Sequence, residues 1–116
     1  MFLELKQTNL DISRIAKEFV LACYKETITF PSDEKFGMTS QIRRAALSVH
    51  LNVAEGCSRK SEKERKRFYE VARGSLVEVD TALDIAVDLK YTSNEKLSPL
   101  GKLMIRTFQM LSKLLG

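Results

Sequence analysis

The fold of this chain is decided by the stretch from Thr39 to Glu55, which reads TSQIRRAALSVHLNVAE. At about 100° of rotation per residue, apolar side chains three and four positions apart share one face of a helix. Thr39 is suited to cap this helix and Gly56 to end it. The stretch therefore predicts an amphipathic helix whose apolar face packs against other elements. That face consists of Ile42, Ala46, Val49 and Val53, with Ala45 beside it.

Three further segments show the same helical spacing of apolar residues. The third segment begins with a capping box formed by Ser61 and Glu64. The fourth begins either at Thr92, with Glu95 three residues later, or at Ser98, with Pro99 at the first helical position. We favour Ser98 as the main cap, after one short turn. Gly74 is expected to let helices approach closely. The sequence predicts one all-α domain over residues 1–116, an up-and-down four-helix bundle with helices at about 9–27, 39–55, 61–90 and 98–115.

Composition agrees with this fold class. Of 116 residues, 44% are hydrophobic and 29% charged, with two prolines and five glycines, which are too few for the turns of an all-β fold. Cys23 and Cys57 do not form a CxxC pair, so we expect one buried thiol and one loop thiol without a metal or redox role. No uncharged run is long enough to span a bilayer, and the N-terminus has no leader pattern. We therefore expect a cytoplasmic protein that does not bind a membrane.

The positive charge is concentrated in the middle of the chain. Residues 39–74 contain nine Lys or Arg against four acids, whereas the rest of the chain has a net charge of −1. The third helix is basic at its start and acidic in its second half, which opposes the helix dipole. A bound phosphate backbone explains this order, and so does a head-to-tail contact between protomers. The residues predicted to contact nucleic acid are Arg43, Arg59, Lys60, Lys63, Lys66 and Arg67.

A polar row separates two apolar strips on the second helix, and matching polar groups lie on the third. Partly buried polar groups must be paired, so we predict a structural polar clasp between these helices. Arg44 is expected to pair with Glu78 or Glu55, and Asn52 to form a hydrogen bond across the helices. The clasp residues are Arg44, Ser48, Asn52, Glu55, Ser75 and Glu78.

The second apolar strip consists of Leu47, Leu51 and Ala54, more than 100° from the core face. One helix of a monomeric bundle needs a single apolar face. The strip therefore predicts an oligomer interface, and the alternative is a wide core that covers both strips.

Sites for catalysis are poorly supported. The chain has one histidine, His50, which excludes a di-iron site built on paired Glu-x-x-His motifs. No Gly-rich phosphate loop or strained nucleophile turn is present. Arg43 and His50 share a helix face, a pairing that some helical ribonucleases use, although such a pair is common on any exposed helix. We predict no catalytic residue, no metal and no cofactor.

The stretch from Phe30 to Leu83 is similar to a known family pattern. It reads FPSDEKFGMTSQIRRAALSVHLNVAEGCSRKSEKERKRFYEVARGSLVEVDTAL, and its most specific segments are QIRRAALSV, NVAEG and ARGSLVEV. It resembles the bacterial four-helix-bundle proteins encoded in intervening sequences of 23S rRNA genes. The positions that match the family motif are Pro31, Glu34, Gln41, Arg43, Arg44, Ser48, Asn52, Glu55, Gly56, Gly74, Ser75 and Glu78.

This resemblance implies a left-handed four-helix bundle that assembles as a homopentamer. It also implies relatedness to the accessory protein of diversity-generating retroelements, a basic pentameric barrel whose expected partners are nucleic acid and a reverse transcriptase. His50 falls where the family pattern is free, which argues against the ribonuclease interpretation.

The sequence thus favours a non-enzymatic homo-oligomer that binds RNA or DNA through a basic patch at the start of the third helix. The alternative is a protein-interaction scaffold whose basic patch docks on an acidic partner or on the neighbouring protomer.

Overall fold

The computed structural model describes residues 1–3 and 10–116. Its four α-helices confirm the predicted all-α four-helix bundle. Each helix packs against the two that are next to it in a closed order, so that α1 lies diagonal to α3 and α2 diagonal to α4. The helices are α1 (Leu10–Thr27), α2 (Met38–Ser58), α3 (Glu62–Asp88) and α4 (Asn94–Leu115), and a short 3₁₀ turn spans Ser32–Glu34.

The core contains the apolar faces that the helical spacing predicted. Every member of the predicted α2 face is buried, and α1 contributes Ile12 and Phe19 with no exposed surface. Leucines from α3 and α4 close the core from the other side. The largest fully buried side chains are Phe19, Ile12, Ile15, Ile42, Leu76, Leu100 and Leu111.

Both ends of α2 differ from the prediction. Thr39 is buried inside the helix, and the N-cap is Gly37, which forms no side-chain capping bond. The Glu34 carboxylate instead accepts a hydrogen bond from the Met38 N–H at 3.1 Å. At the other end the helix continues through Gly56 to Ser58.

Gly56 is buried within α2 because α3 passes very close to it. A side-chain Cβ at this position would lie 2.6 Å from a ring carbon of Tyr69 and 3.2 Å from the Arg65 carbonyl oxygen. The predicted close approach at Gly74 is wrong, since a Cβ there would meet no atom of residues 1–3 or 10–116 within 4 Å. The glycine that helix packing requires is therefore at the end of α2 and not in the middle of α3.

The capping of α3 explains both of its ends. Ser61 accepts a hydrogen bond from the Glu64 N–H at 3.3 Å, as predicted. The helix ends at Asp88, two residues earlier than predicted, because Lys90 has a φ of 66°. The N–H of Lys90 donates to Val87 and that of Tyr91 to Ala86, which is the Schellman pattern.

The start of α4 was wrongly predicted at Ser98. The N-cap is Ser93, whose side chain accepts a hydrogen bond from the Lys96 N–H at 3.2 Å. Pro99 lies inside the helix. A proline there removes the bond to the carbonyl four residues earlier, which belongs to Glu95, an exposed residue of the first turn. The first predicted helix start, at residue 9, lies outside the described residues.

Both cysteines are buried and free. Cys57 was expected in a loop, but α2 extends over it, and its Sγ lies 3.5 Å from the Tyr69 hydroxyl. Burial, with a smaller effect of Glu26, raises the pKa of the Cys23 thiol to about 12. Neither thiol is placed for redox or metal chemistry at the surface.

Candidate nucleic-acid interface

A cationic surface forms where α2 ends and α3 begins. The three residues 59–61 connect these helices, so the last turn of α2 and the first turns of α3 lie at the same end of the bundle. The chain terminus after α4 reaches this end too, since a side chain at Gly116 would begin 3.9 Å from Lys66 Nζ. We call this surface the basic end. Its predicted phosphate contacts are Arg59, Lys60, Lys63, Lys66 and Arg67.

Two of these five cations have carboxylate partners. Arg59 lies 3.2 Å from Glu55, and Lys66 lies 3.2 Å from Glu62. The four side chains are between 42% and 73% exposed, so each pair contributes little to stability, and another anion can readily replace the carboxylate. The other three cations, which are Lys60, Lys63 and Arg67, are exposed and have no ion pair with any residue the structure describes.

An aromatic ring lies between two of the cations. The Arg59 guanidinium lies 5.1 Å and the Arg67 guanidinium 5.9 Å from the centre of the Phe68 ring. These cation–π contacts hold both side chains near the half-exposed ring. Tyr69, the other aromatic residue near the basic end, is buried and offers no surface to a base.

Arg65 shapes the connection between α2 and α3. One of its guanidinium nitrogens donates to the carbonyl oxygens of Arg59, at 3.1 Å, and Lys60, at 2.6 Å. It therefore holds the backbone from which two of the predicted phosphate contacts project. Sequence reasoning did not separate Arg65 from its basic neighbours, because a charge count does not distinguish a cation bound to backbone from a free one.

Arg43 is separate from the basic end. Its Nε donates to Thr27 Oγ1 at 2.9 Å, and Nη2 donates to the Tyr24 carbonyl at 3.2 Å. Its guanidinium also covers the Tyr24 ring, 4.9 Å from the ring centre. Arg43 precedes Arg59 by 16 positions, which is about 24 Å along a helix. The structure thus uses Arg43 to join α2 to the last turn of α1.

His50 lies half-buried on α2, and its buried Nδ1 has no hydrogen-bond partner among the residues that the structure describes. Burial lowers the pKa of His50 below its usual 6.5, and the positive charge of Lys17 lowers it further. With the Arg43 guanidinium bound to α1, the suggested Arg43–His50 pair does not present two free groups to a phosphate.

The predicted polar clasp is partly formed. The hydroxyls of Ser48 and Ser75 lie 2.9 Å apart and join α2 to α3. The Asn52 amide donates to the carbonyl and hydroxyl of Ser48, at 2.8 Å and 3.1 Å, so its predicted bond across the helices is wrong. Asn52 lies one turn after Ser48 on the same face of α2, so the nearest partner for its amide is Ser48 and not a group on α3.

The predicted Arg44 ion pair is also wrong. The Glu78 carboxylate accepts a hydrogen bond from the Gln41 amide at 3.1 Å, and Glu55 binds Arg59. Arg44 itself is exposed and forms no ion pair with the described part of the chain. The charge on Arg44 therefore faces solvent within one protomer.

The second apolar strip of α2 is a surface feature. Leu47 is 40% and Leu51 is 56% exposed, and Ala54 is partly buried. Leu3 of the same chain lies beside Leu51 and Ala54 but is itself 78% exposed, so it leaves the strip open. The alternative in which a wide core covers both strips does not hold.

Other kinds of site are absent from the part of the chain that the structure describes. Residues 1–3 and 10–116 contain no group of three His, Cys, Asp or Glu side chains that could hold a metal ion. Within the same ranges, no helix is long and apolar enough to cross a membrane.

The fold and the charge distribution define a small all-α protein, a four-helix bundle with one cationic end. The chain belongs to the 23S rRNA-intervening sequence protein family, whose sequence profile matches residues 8–113.

A crystal structure from Bacteroides thetaiotaomicron has a similar fold and is described as a protein with unknown function from the S23 ribosomal protein family. It shares 18% sequence identity with this chain, with a TM-score of 0.79 over 90% of this chain and 97% of that one. No curated protein matches the sequence.

Proposed function

We propose that this protein is a non-enzymatic homo-oligomer that binds RNA or DNA through the phosphate backbone at its basic end. The observation that carries the proposal is the unneutralised charge of Lys60, Lys63 and Arg67, which project from one connection and one helix start. Arg59 and Lys66 add to this surface once a phosphate replaces their exposed carboxylate partners.

The chemistry of the basic end favours phosphate over base recognition. Lysine and arginine side chains that neutralise phosphates release counterions from the nucleic acid, which gives affinity without a sequence preference. The Phe68 ring is covered by two guanidinium groups and offers limited area for stacking. Binding should therefore depend strongly on salt and weakly on sequence.

Filter binding with a structured RNA hairpin and a DNA duplex of similar length, at rising salt, tests this proposal. The logarithm of the binding constant should fall linearly with the logarithm of salt concentration. Each phosphate contact contributes about 0.7 to 0.9 to that slope, so we expect the K60E/K63E/R67E variant to lose about 2 to 3 from it. Affinity of that variant at low salt should fall at least about tenfold.

The matched control is K35E/K96E/K102E, which makes the same change in net charge with exposed residues away from the basic end. We expect this control to bind much as the wild type does. Equal losses in both triple variants, or no binding by the wild type at low salt, would contradict a localised phosphate site. If the basic end is instead required for assembly, the K60E/K63E/R67E variant loses the oligomer and keeps nucleic-acid binding, as the protein-scaffold alternative predicts.

The homo-oligomer part of the proposal is supported by the exposed apolar strip of α2. Leu47 and Leu51 leave more apolar surface in water than a helix of a monomeric bundle needs, and burial against another subunit would remove it. Multi-angle light scattering should give a mass several times that of the 13.2 kDa chain, and five times if the implied pentamer is correct. A single 13.2 kDa species at high concentration would refute it.

A further inference from the structure

A second exposed apolar surface lies on the other side of the bundle, in a groove between α3 and α4. Its exposed members are Val77 (52%), Ile105 (59%) and Phe108 (40%), and Leu76 and Met104 form its floor. The groove has a volume of about 390 Å³. Toward the start of α4 it continues past Asp80 and Asp84.

The strip on α2 and the groove beside α4 face different directions, because α2 and α4 are diagonal in the bundle. Two copies related by a twofold axis use the same patch on both subunits. Two unlike patches on opposite sides of one protomer suit a head-to-tail contact, which closes into a ring when the rotation between subunits allows it.

Charges on the two surfaces match in sign, spacing and direction. On the outer face of α2, Arg44 and Glu55 are 11 positions apart, and Leu47 and Leu51 lie between them. At the edge of the groove, Asp84 and Arg73 of α3 are also 11 positions apart, and Val77 lies between them. Both separations correspond to about 16 Å.

An α2 helix that runs antiparallel to this edge brings Arg44 to Asp84 and Glu55 to Arg73. The same alignment places the two leucines against the apolar groove. Arg44 has no ion pair within the described part of its own protomer, and it is free to make this contact. In the monomer Glu55 contacts Arg59 and Ser58, and Arg73 contacts Ser112 and the Phe108 ring. None of these four partners is buried.

We propose that the groove between α3 and α4 is the docking site for the α2 outer face of a second copy of this chain. In this arrangement the docked helix is antiparallel to α3 of its neighbour, as α2 is to α3 within one protomer. Neighbouring bundles are then related by rotation about an axis parallel to the helices. All basic ends consequently lie on the same rim of the ring. This inference rests on the proposed homo-oligomer and names the two surfaces that build it.

Two single substitutions test the head-to-tail contact. L51E places a charge on the strip and I105E places one in the groove, and both residues are exposed, so each variant should keep the helical circular dichroism of the wild type. Each variant alone should be monomeric in light scattering. Mixed in equal amounts, they should form a dimer and nothing larger, because each retains one of the two surfaces.

The outcomes separate this inference from the proposed function. An I105E variant that keeps the wild-type oligomer overturns the groove assignment while the homo-oligomer stands. An L51E variant that keeps the wild-type oligomer overturns the assignment of the α2 strip as the other half of the interface. A wild-type chain that is monomeric at high concentration overturns both the inference and the oligomer on which it rests. A wild-type chain that forms the ring but shows no salt-dependent RNA binding contradicts only the proposed phosphate site at the basic end.

Charge exchange tests the alignment itself. R44E and D84R should each weaken the oligomer at least tenfold in dissociation constant, and the double variant R44E/D84R should recover most of the loss. The control R44E/E18R changes an exposed acid on α1 and should recover nothing. Equal recovery in both double variants would show that only net charge matters and would overturn the proposed pairing.

Discussion

At the scale of single residues, position in the bundle gives identical residue types different roles. Gly56 is enclosed by the Tyr69 ring and the Arg65 carbonyl, whereas Gly74 is exposed on α3 with open space around it. In a helix, glycine costs conformational entropy that a larger residue avoids. Only at Gly56 does packing against another helix require that cost.

The two glycines predict opposite effects of the same substitution. G56A should lower the free energy of unfolding by about 1 to 3 kcal/mol, because the new methyl group displaces the Tyr69 ring or the α3 backbone. G74A should raise it by about 0.5 to 1 kcal/mol. Urea denaturation of both variants measures this difference, and a destabilising G74A would place an unseen neighbour beside that face of α3.

His50 gives the stability of the bundle a dependence on pH. Its pKa in the folded protein is lowered by burial and by Lys17, so the unfolded chain binds a proton more readily. The stabilisation is complete above the usual pKa of about 6.5 and is lost as the pH falls through that value toward the lowered one.

We therefore expect the wild type to lose more stability than H50Q between pH 7.5 and pH 5. Urea denaturation at both pH values, compared within each variant, isolates the effect from any packing change. Parallel curves for the two proteins would show that another group is responsible for the pH dependence.

At the scale of helices, capping decides where each element begins and ends. Two serines of α3 and α4 accept a hydrogen bond from the N–H three residues later, which satisfies one of the free amides of the first turn. Sequence reasoning found the cap at Ser61 because Glu64 completed the capping box. For α4 it favoured Ser98 over Thr92 because proline is common at the first helical position, and it overlooked Ser93.

The cap of α4 has a direct test. S93A should lower the free energy of unfolding by about 1 kcal/mol, because the Lys96 N–H loses its partner. S98A changes an exposed residue inside the helix and should have little effect. A larger loss in S98A than in S93A by thermal denaturation would restore Ser98 as the start of the helix.

At the scale of the whole molecule, the proposed ring links assembly to the proposed nucleic-acid binding, because it places the basic ends on one rim. If several basic ends lie on one rim, a nucleic acid that contacts two of them is held by a second, intramolecular binding event. The oligomer then binds more tightly than the sum of weak single sites. By the same reasoning, a modest net charge of +4 per chain would be sufficient for the proposed binding.

The L51E variant should therefore bind a long RNA duplex at least about tenfold more weakly than the wild type, although its basic end is unchanged. A short duplex that reaches only one basic end should bind the two proteins equally. Fluorescence anisotropy with both duplexes measures the contrast. Equal weakening for the short and long duplexes would mean that L51E damages the basic end itself.

The sequence by itself determined the number of helices, their core faces and the clustering of positive charge. These features depend on spacing within one helix and on composition along the chain, which are local properties. The predicted face of α2 is buried without exception for that reason. The family pattern between Phe30 and Leu83 likewise identified the family that the profile match shows.

Only the tertiary structure decided which polar groups form hydrogen bonds or ion pairs with each other. Arg43 and Arg44 are adjacent in the sequence, yet Arg43 is bound to the end of α1 and Arg44 faces solvent. Helical spacing gives the direction of a side chain, but not the distance or rotation of the neighbouring helix that would supply its partner. Those quantities are set by how the four apolar faces pack together, which also placed Gly56 against Tyr69 and left the groove beside α4 open.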